Sequence, residues 1–152
     1  MFGRFLYYLI WPILWFVTPL TRRVRVAVLY DGKVLLVQNW IGAGNWELPG
    51  GGIKLGETVE QAATREIREE LRLHIENVSK LNEDLVTIKR RGILRRLEYV
   101  QATIGPTEVI IQNWEIAKIN WVPISEFMQL DMMPSDLQQR LTRSVPLEDD
   151  TL

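Results

Sequence analysis

From Thr58 to Arg72 the sequence TVEQAATREIREELR repeats apolar residues at helical spacing and sets Glu66, Glu69 and Glu70 among them. At about 100° per residue, with Val59 as zero, Ala63, Ile67 and Leu71 fall near 40°, 80° and 120°, and Ala62 near 300°. Glu66 and Glu70 fall near 340° and 20°, inside that apolar arc, and Glu69 near 280°, at its edge. Gln61, Arg65, Arg68 and Arg72 take the opposite side. An acidic helix is ordinarily a solvated face, but here the phasing turns the glutamates toward the body of the protein, where unpaired charge is costly. Arg65 can reach Glu69 at i, i+4, which leaves Glu66 and Glu70 short of partners. A cluster of hard oxygen donors suits Mg²⁺ or Mn²⁺. Thr58 and Gln61 supply a T-x-x-Q capping box at the helix start.

A glycine-rich turn, Gly50-Gly51-Gly52, precedes this helix and permits close backbone approaches that a side chain would block. Gly51 to Thr58 reads G-x-x-x-x-G-E-T. That is one residue from a phosphate-binding P-loop, but Glu57 stands where the lysine belongs, so the charge is reversed. Glu57, just before the helix, suits the macrodipole and could reach the same metal site.

The 152 residues, 47% of them hydrophobic, can bury one ordinary core. A net charge of −1 gives no overall field toward nucleic acid. With no cysteine and His74 as the sole histidine, disulfides, thiolate ligands and a multi-histidine zinc site are excluded.

The pattern predicts strands over 24–30 and 33–38, joined by an Asp31-Gly32 hairpin turn. A glycine-bearing loop over 40–45 and a short extended piece, Trp46-Glu47-Leu48, follow. After the helix come an extended region to about Ile88, a basic turn at Lys89-Arg90-Arg91-Gly92, and strands near 97–104, 107–111 and 116–122. Pro123 opens a short helix over 124–128, and Pro134-Ser135 another through about Leu141. Strands interleaved with a central and a C-terminal helix indicate an α/β or α+β sandwich on a mixed sheet. The expected organisation is an apolar N-terminal helix over 1–21, one domain over 22–145 and an acidic tail over 146–152.

The N-terminal run Phe5 to Leu20 is about 24 Å long as a helix, short of a roughly 30 Å hydrocarbon core. Pro12 and Pro19 interrupt it, and no small-x-small cleavage site follows. It packs on the domain, or it seats on a membrane or marginally spans it, with Tyr7, Tyr8, Trp11 and Trp15 as interfacial aromatics. Arg22, Arg23 and Arg25 would favour a cytoplasmic domain on the inner face.

Taken whole, Gly51 to Leu73 resembles the signature of the Nudix hydrolases, with Gly51, Glu57, Arg65, Glu66, Ile67, Glu69, Glu70 and Leu73 at matching spacing. Trp46 to Gly50 and Trp121-Val122-Pro123 with Glu126-Phe127 resemble flanking parts of that fold, so the likeness spans roughly Arg23 to Leu141. Arg72 departs from it, standing where the family has a glycine that ends the helix in a left-handed cap.

The resemblance implies a Nudix-like sandwich in which Glu66, Glu69 and Glu70 bind Mg²⁺, with Mn²⁺ able to substitute. The Gly50 carbonyl would be a further ligand, Glu57 a supporting one, and Arg65 would orient a box glutamate. Glu115, six residues ahead of Trp121, is the candidate for an extra ligand or base, and Glu98 its competitor. The activity implied is hydrolysis of a nucleoside diphosphate linked to a moiety X, with Glu69 or Glu115 taking the proton from water. Trp40, Asn45, Trp46 and Tyr99 are candidate substrate contacts. The alternative is a non-catalytic diphosphate-binding or regulatory module, tethered to a membrane or not. Among nucleic acids, only capped or triphosphorylated RNA fits such chemistry. Oligomeric state is left open.

Overall fold

The computed structural model describes residues 22–39, 45–83, 85–90, 93–106 and 116–144. The expected N-terminal helix, the strand near 107–111 and the acidic tail lie outside the described residues.

Seven strands form one mixed sheet. Strand β1 (Arg22–Tyr30) turns at Asp31-Gly32, both with positive φ, into β2 (Lys33–Asn39), as an Asp-Gly hairpin requires. The two strands pair only beside the turn, at Leu29↔Val34 and Tyr30↔Lys33. From there they take different partners. β1 runs parallel to β6 (Ile93–Thr103), from Arg22↔Arg96 to Leu29↔Thr103, and β2 runs antiparallel to β7 (Ile116–Pro123). β3 (Trp46–Glu47) adds to β2, while β4 (Glu76–Lys80) and β5 (Val86–Arg90) both pair with β6.

Alternation along the strands builds a core on each sheet face. Val24, Val26 and Val28 face helix α1 (Val59–Leu71) and pack with its Val59, Ala62, Ala63, Ile67 and Leu71. Ala27 and Leu29 face the other way, toward α2 (Ile124–Phe127) and α3 (Ser135–Ser144), which contribute Phe127, Leu137 and Leu141. The result is the expected sandwich, a mixed sheet between a central helix and a C-terminal pair.

Two sequence expectations need adjustment. Lys89 and Arg90, read as the start of a turn over 89–92, belong to β5 and pair with Leu94 and Ile93. The following strand starts at Ile93 rather than near Leu97. Hydrogen bonding of the hairpin carries both strands past the point where the apolar pattern stops.

The capping box forms as read: Thr58 Oγ1 accepts from Gln61 N, and the Gln61 side chain accepts from Thr58 N. At the other end Arg72 has φ 54° and ψ 22°, the left-handed cap that the sequence comparison with glycine suggested, and its N–H donates to the Arg68 carbonyl. A side chain in this region carries a steric cost of about 1–2 kcal/mol, partly offset by glycine's greater freedom in the unfolded chain. Arg72→Gly should therefore raise the unfolding free energy by roughly 0.5–1 kcal/mol; equilibrium urea denaturation reads this directly, and a loss of stability contradicts it.

Candidate functional site

The parting of β1 from β2 creates the place where the glycine turn sits. After β3 the chain crosses from the edge of β2 to the edge of β1. There the Pro49 and Gly51 carbonyls accept from Val26 N and Val24 N, both at 2.9 Å, and Ile53 N donates to the Arg22 carbonyl at 3.0 Å. Gly50 has φ +131°, and a Cβ there would strike the Val24 carbonyl. A Cβ on Gly51 would stand 2.5 Å from the Glu66 carboxyl. These two glycines let a strand edge and a helix close to a separation that no side chain permits.

The carboxylates meet the turn from α1. Glu66 lies against Gly51, and Gly50 N donates to Glu70 Oε2 at 3.3 Å. Glu69 is the most open, its side chain half exposed. Arg65 ties the group together. Its Nε and Nη2 donate to the two oxygens of Glu57 at 2.6 and 2.9 Å, a bidentate pair, and Nη2 also donates to the Gly52 carbonyl at 2.9 Å. Its Nη1 donates to Glu66 at 2.8 Å and to Glu69 at 3.3 Å. Helical phasing put Arg65 on the solvated side and left Glu66 and Glu70 unpartnered. The structure corrects both points, because the long arginine stem bends back under the turn and a backbone amide serves Glu70.

Glu57 sits beneath the turn, between Arg65 and Lys54. Arg65 and the Lys54 amide both donate to it, and together they hold its carboxyl down to about 2. The same pair raises the Arg65 pKa, Glu57 being the main cause. Glu57 thus anchors the arginine.

Among the described residues, no three acidic or histidine side chains are already gathered around one point. The donor chemistry nevertheless fits a hard dication. Glu66, Glu69, Glu70 and the Gly50 carbonyl offer only oxygen. Glu66 and Glu70 both approach the Gly50-Gly51 backbone, and the Arg65 Nη1 cation sits between Glu66 and Glu69. Of the two extra glutamates considered, Glu98 is buried and ion-paired to Arg22 and Lys80, which satisfies its charge. Glu115 lies outside the described residues.

A cavity of about 470 Å³ opens on the α3 side of the sheet. Trp46, Leu48, Leu97 and Tyr99 form its sheet wall, and Met132, Met133 and Pro134 the wall leading into α3. Arg25, Glu47 and Asp131 are its charged groups. Arg25 donates to the Leu48 carbonyl at 2.8 Å and to Glu47 at 2.7 Å, while Asn39 donates to Glu47 at 2.6 Å. Burial lowers the Arg25 pKa, with Glu47 the main opposing influence and Glu70 close enough to add to it. The cavity and the carboxylate helix therefore adjoin across Leu48 to Gly50. Burial likewise raises the Tyr99 pKa.

The expected contacts Trp46 and Tyr99 line this cavity. Asn45 is exposed just before β3 and does not, and Trp40 lies outside the described residues. The sequence reading missed Arg25, Glu47 and Asp131. Arg25 carried a usable signal, a charge at an inward position of the apolar strand VRVAVLY.

A sequence profile described as the NUDIX domain matches residues 19–143. The chain belongs to the NUDIX family. A curated relative, the putative mutator protein MutT4 of Mycobacterium tuberculosis, is 36% identical over 84 residues, which are 53% of this chain and 34% of that protein. The chain thus spans about a third of that relative's length. The CTP pyrophosphohydrolase of Escherichia coli is 30% identical over 118 residues, covering 75% of this chain and 84% of the relative. Among solved structures, the MutT NUDIX hydrolase from Burkholderia pseudomallei superposes with a TM-score of 0.63 at 24% identity, over 82% of this chain and 98% of that one. Its likeness concerns the NUDIX fold alone.

The Glu57–Arg65 pair gives a pH signature. Glu57 titrates lower in the folded state than its ordinary 4.5, so its contribution is complete above about 4.5 and is lost as pH falls toward about 2. In chelator-treated protein, the melting-temperature gap between wild type and Glu57→Gln should be constant above pH 4.5 and close progressively below it. A gap that does not change with pH contradicts the pairing.

Proposed function

We propose that this chain is a divalent-metal-dependent pyrophosphohydrolase that cleaves a nucleoside diphosphate linked to a further moiety X, working with Mg²⁺ and accepting Mn²⁺. The observation that carries this reading is the contact of the Glu66 carboxyl with Gly51, where a Cβ would stand only 2.5 Å away. It brings a carboxylate helix and an anion-tolerant glycine backbone to one place. The E. coli relative named a CTP pyrophosphohydrolase supports the reaction class.

In this reading Glu66, Glu69, Glu70 and the Gly50 carbonyl hold the ion. A divalent ion held there supplies neutralisation of diphosphate charge and a more acidic water. Glu69 has the least encumbered carboxylate of the three, with a single 3.3 Å bond to Arg65, so it is the first choice to accept the proton from water, and Glu115 the second. Arg65 is a positioning residue that aims Glu66 and Glu69, and Glu57 fixes Arg65 in turn. The cavity beside Leu48 accommodates the non-phosphate moiety, with Trp46 and Tyr99 offering flat apolar surfaces to a ring.

The test is a Mg²⁺-dependent hydrolysis screen over nucleoside triphosphates, dinucleoside polyphosphates, ADP-ribose, nucleotide sugars and capped or triphosphorylated RNA. With the substrate so found, Glu69→Gln should lower kcat by roughly 10²–10⁴-fold and leave KM little changed. Full turnover by wild type in excess chelator, or a fully active Glu69→Gln, contradicts the proposal.

A further inference from the structure

Three parts of the chain come together where β1 begins. On one edge Ile53 N donates to the Arg22 carbonyl at 3.0 Å and Gly52 bridges to Arg23, so the loop Lys54-Leu55-Gly56 leaves the sheet there. On the other edge Arg22 lies beside Arg96 in the parallel register of β1 with β6. β6 begins three residues earlier, at Ile93, and its first residues pair with Arg90 and Lys89 of β5. The β5–β6 hairpin therefore projects about 10 Å past the first residue of β1, at roughly 3.3 Å per residue. The uncharged run 5–20 joins the fold at this same point, ahead of Arg22.

This end of the sheet is both apolar and basic. Leu55 is fully exposed, more so than any other large apolar side chain among the described residues. Lys54 beside it, Arg22 and Arg96 are exposed as well. Five of the eight residues 89–96 are lysine or arginine, and none is acidic. Arg22 and Lys80 share the buried carboxylate of Glu98, so two cations meet one acid there. Like charges side by side on neighbouring strands, as at Arg22 and Arg96, cost stability, and an anionic surface offsets that cost. An open leucine among cations, next to an uncharged aromatic segment, matches the two needs of an anionic bilayer: apolar insertion and headgroup pairing. A nucleic acid would engage the charges and leave Leu55 in water.

We propose that this end of the sheet is a docking surface for a bilayer that carries anionic lipid. Residues 5–20 supply one apolar contact and Leu55 a second, while Arg96, Lys54 and the basic residues of the β5–β6 hairpin meet the headgroups. Attachment by the apolar segment alone would be indifferent to lipid charge. Docking of the folded domain requires that charge, because its cations stand on the sheet and on the loop rather than on the segment. The proposal is independent of the substrate and of the hydrolase reading.

The experiment is co-sedimentation of the full chain with vesicles of phosphatidylcholine alone, or of equal parts phosphatidylcholine and phosphatidylglycerol, at low and at high salt. Binding to the anionic vesicles should be tighter by at least about tenfold and should weaken as salt rises. A basic residue near a charged bilayer contributes about fivefold. Arg96→Gln combined with Lys54→Gln should therefore weaken anionic binding by roughly tenfold or more and leave neutral binding nearly unchanged. Leu55→Asn should weaken binding to both vesicles by about threefold or more. At exposed positions these changes should leave the melting temperature nearly unchanged, so lost binding reports docking rather than misfolding. Equal binding to both vesicles, or anionic binding that survives the Arg96 and Lys54 changes, overturns the docking surface and leaves the apolar segment as the anchor. Binding to neither vesicle, or tighter binding of a single-stranded oligonucleotide than of the anionic vesicles, overturns the proposal outright.

Discussion

The arrangement of this molecule depends on the backbone hydrogen bonds that fasten Pro49 to Ile53 along the free edge of β1. β1 and β2 pair for only two residues at their hairpin and then separate, β1 to run with β6 and β2 with β7. The opened edge would leave buried backbone groups without partners, which proteins rarely tolerate. The Pro49 and Gly51 carbonyls and the Ile53 amide satisfy it. Because this segment is backbone-bound on one side and faces α1 on the other, the helix can approach only where Cβ atoms are missing. Gly51 is that position, and Gly50 is the one where the turn itself must clear the Val24 carbonyl of β1. One constraint on the sheet thus places the turn, the turn places Glu66 and Glu70, and Leu48 on the same segment places the cavity beside them.

Electrostatics explains why Arg65 is as central as the glutamates. Carboxylates on adjacent helical turns, about 6 Å apart, repel by roughly 0.7–3 kcal/mol per pair as the effective dielectric falls from about 80 to about 20. Several such pairs would consume much of a total stability of about 5–15 kcal/mol. Arg65 lies between Glu66 and Glu69 with its far side clamped by Glu57 and the Gly52 carbonyl. It offsets that repulsion from within the chain.

Much of this was legible in the sequence, for identifiable reasons. The helix limits and its capping box follow from local chemistry at Thr58 and Gln61, whereas the left-handed end at Arg72 was suggested only by the glycine of the family it resembles, arginine itself leaving a different ending open. The Asp31-Gly32 hairpin is equally local. The inward phase of Glu66 and Glu70 follows from period alone. What escaped depended on long-range placement. The reach of Arg65 to Glu57 and Gly52 is set by how the turn folds over the helix, and nothing in the helical phase reports it. The cavity joins β1, β3, β6 and the segment before α3, and Asp131 looks like any loop acid until Tyr99 and Met133 are placed beside it. The parting of β1 from β2 was likewise invisible, since both strands read as one simple hairpin.

The central claim is that the glycine turn and the glutamate helix together make a dication site whose glutamates Arg65 positions. A Mn²⁺ titration followed by electron paramagnetic resonance, which reports the free ion, tests it without substrate or turnover. Wild type should bind Mn²⁺, and Glu66→Gln should weaken that binding by at least tenfold. Mn²⁺ binding that is indifferent to Glu66→Gln would contradict the account.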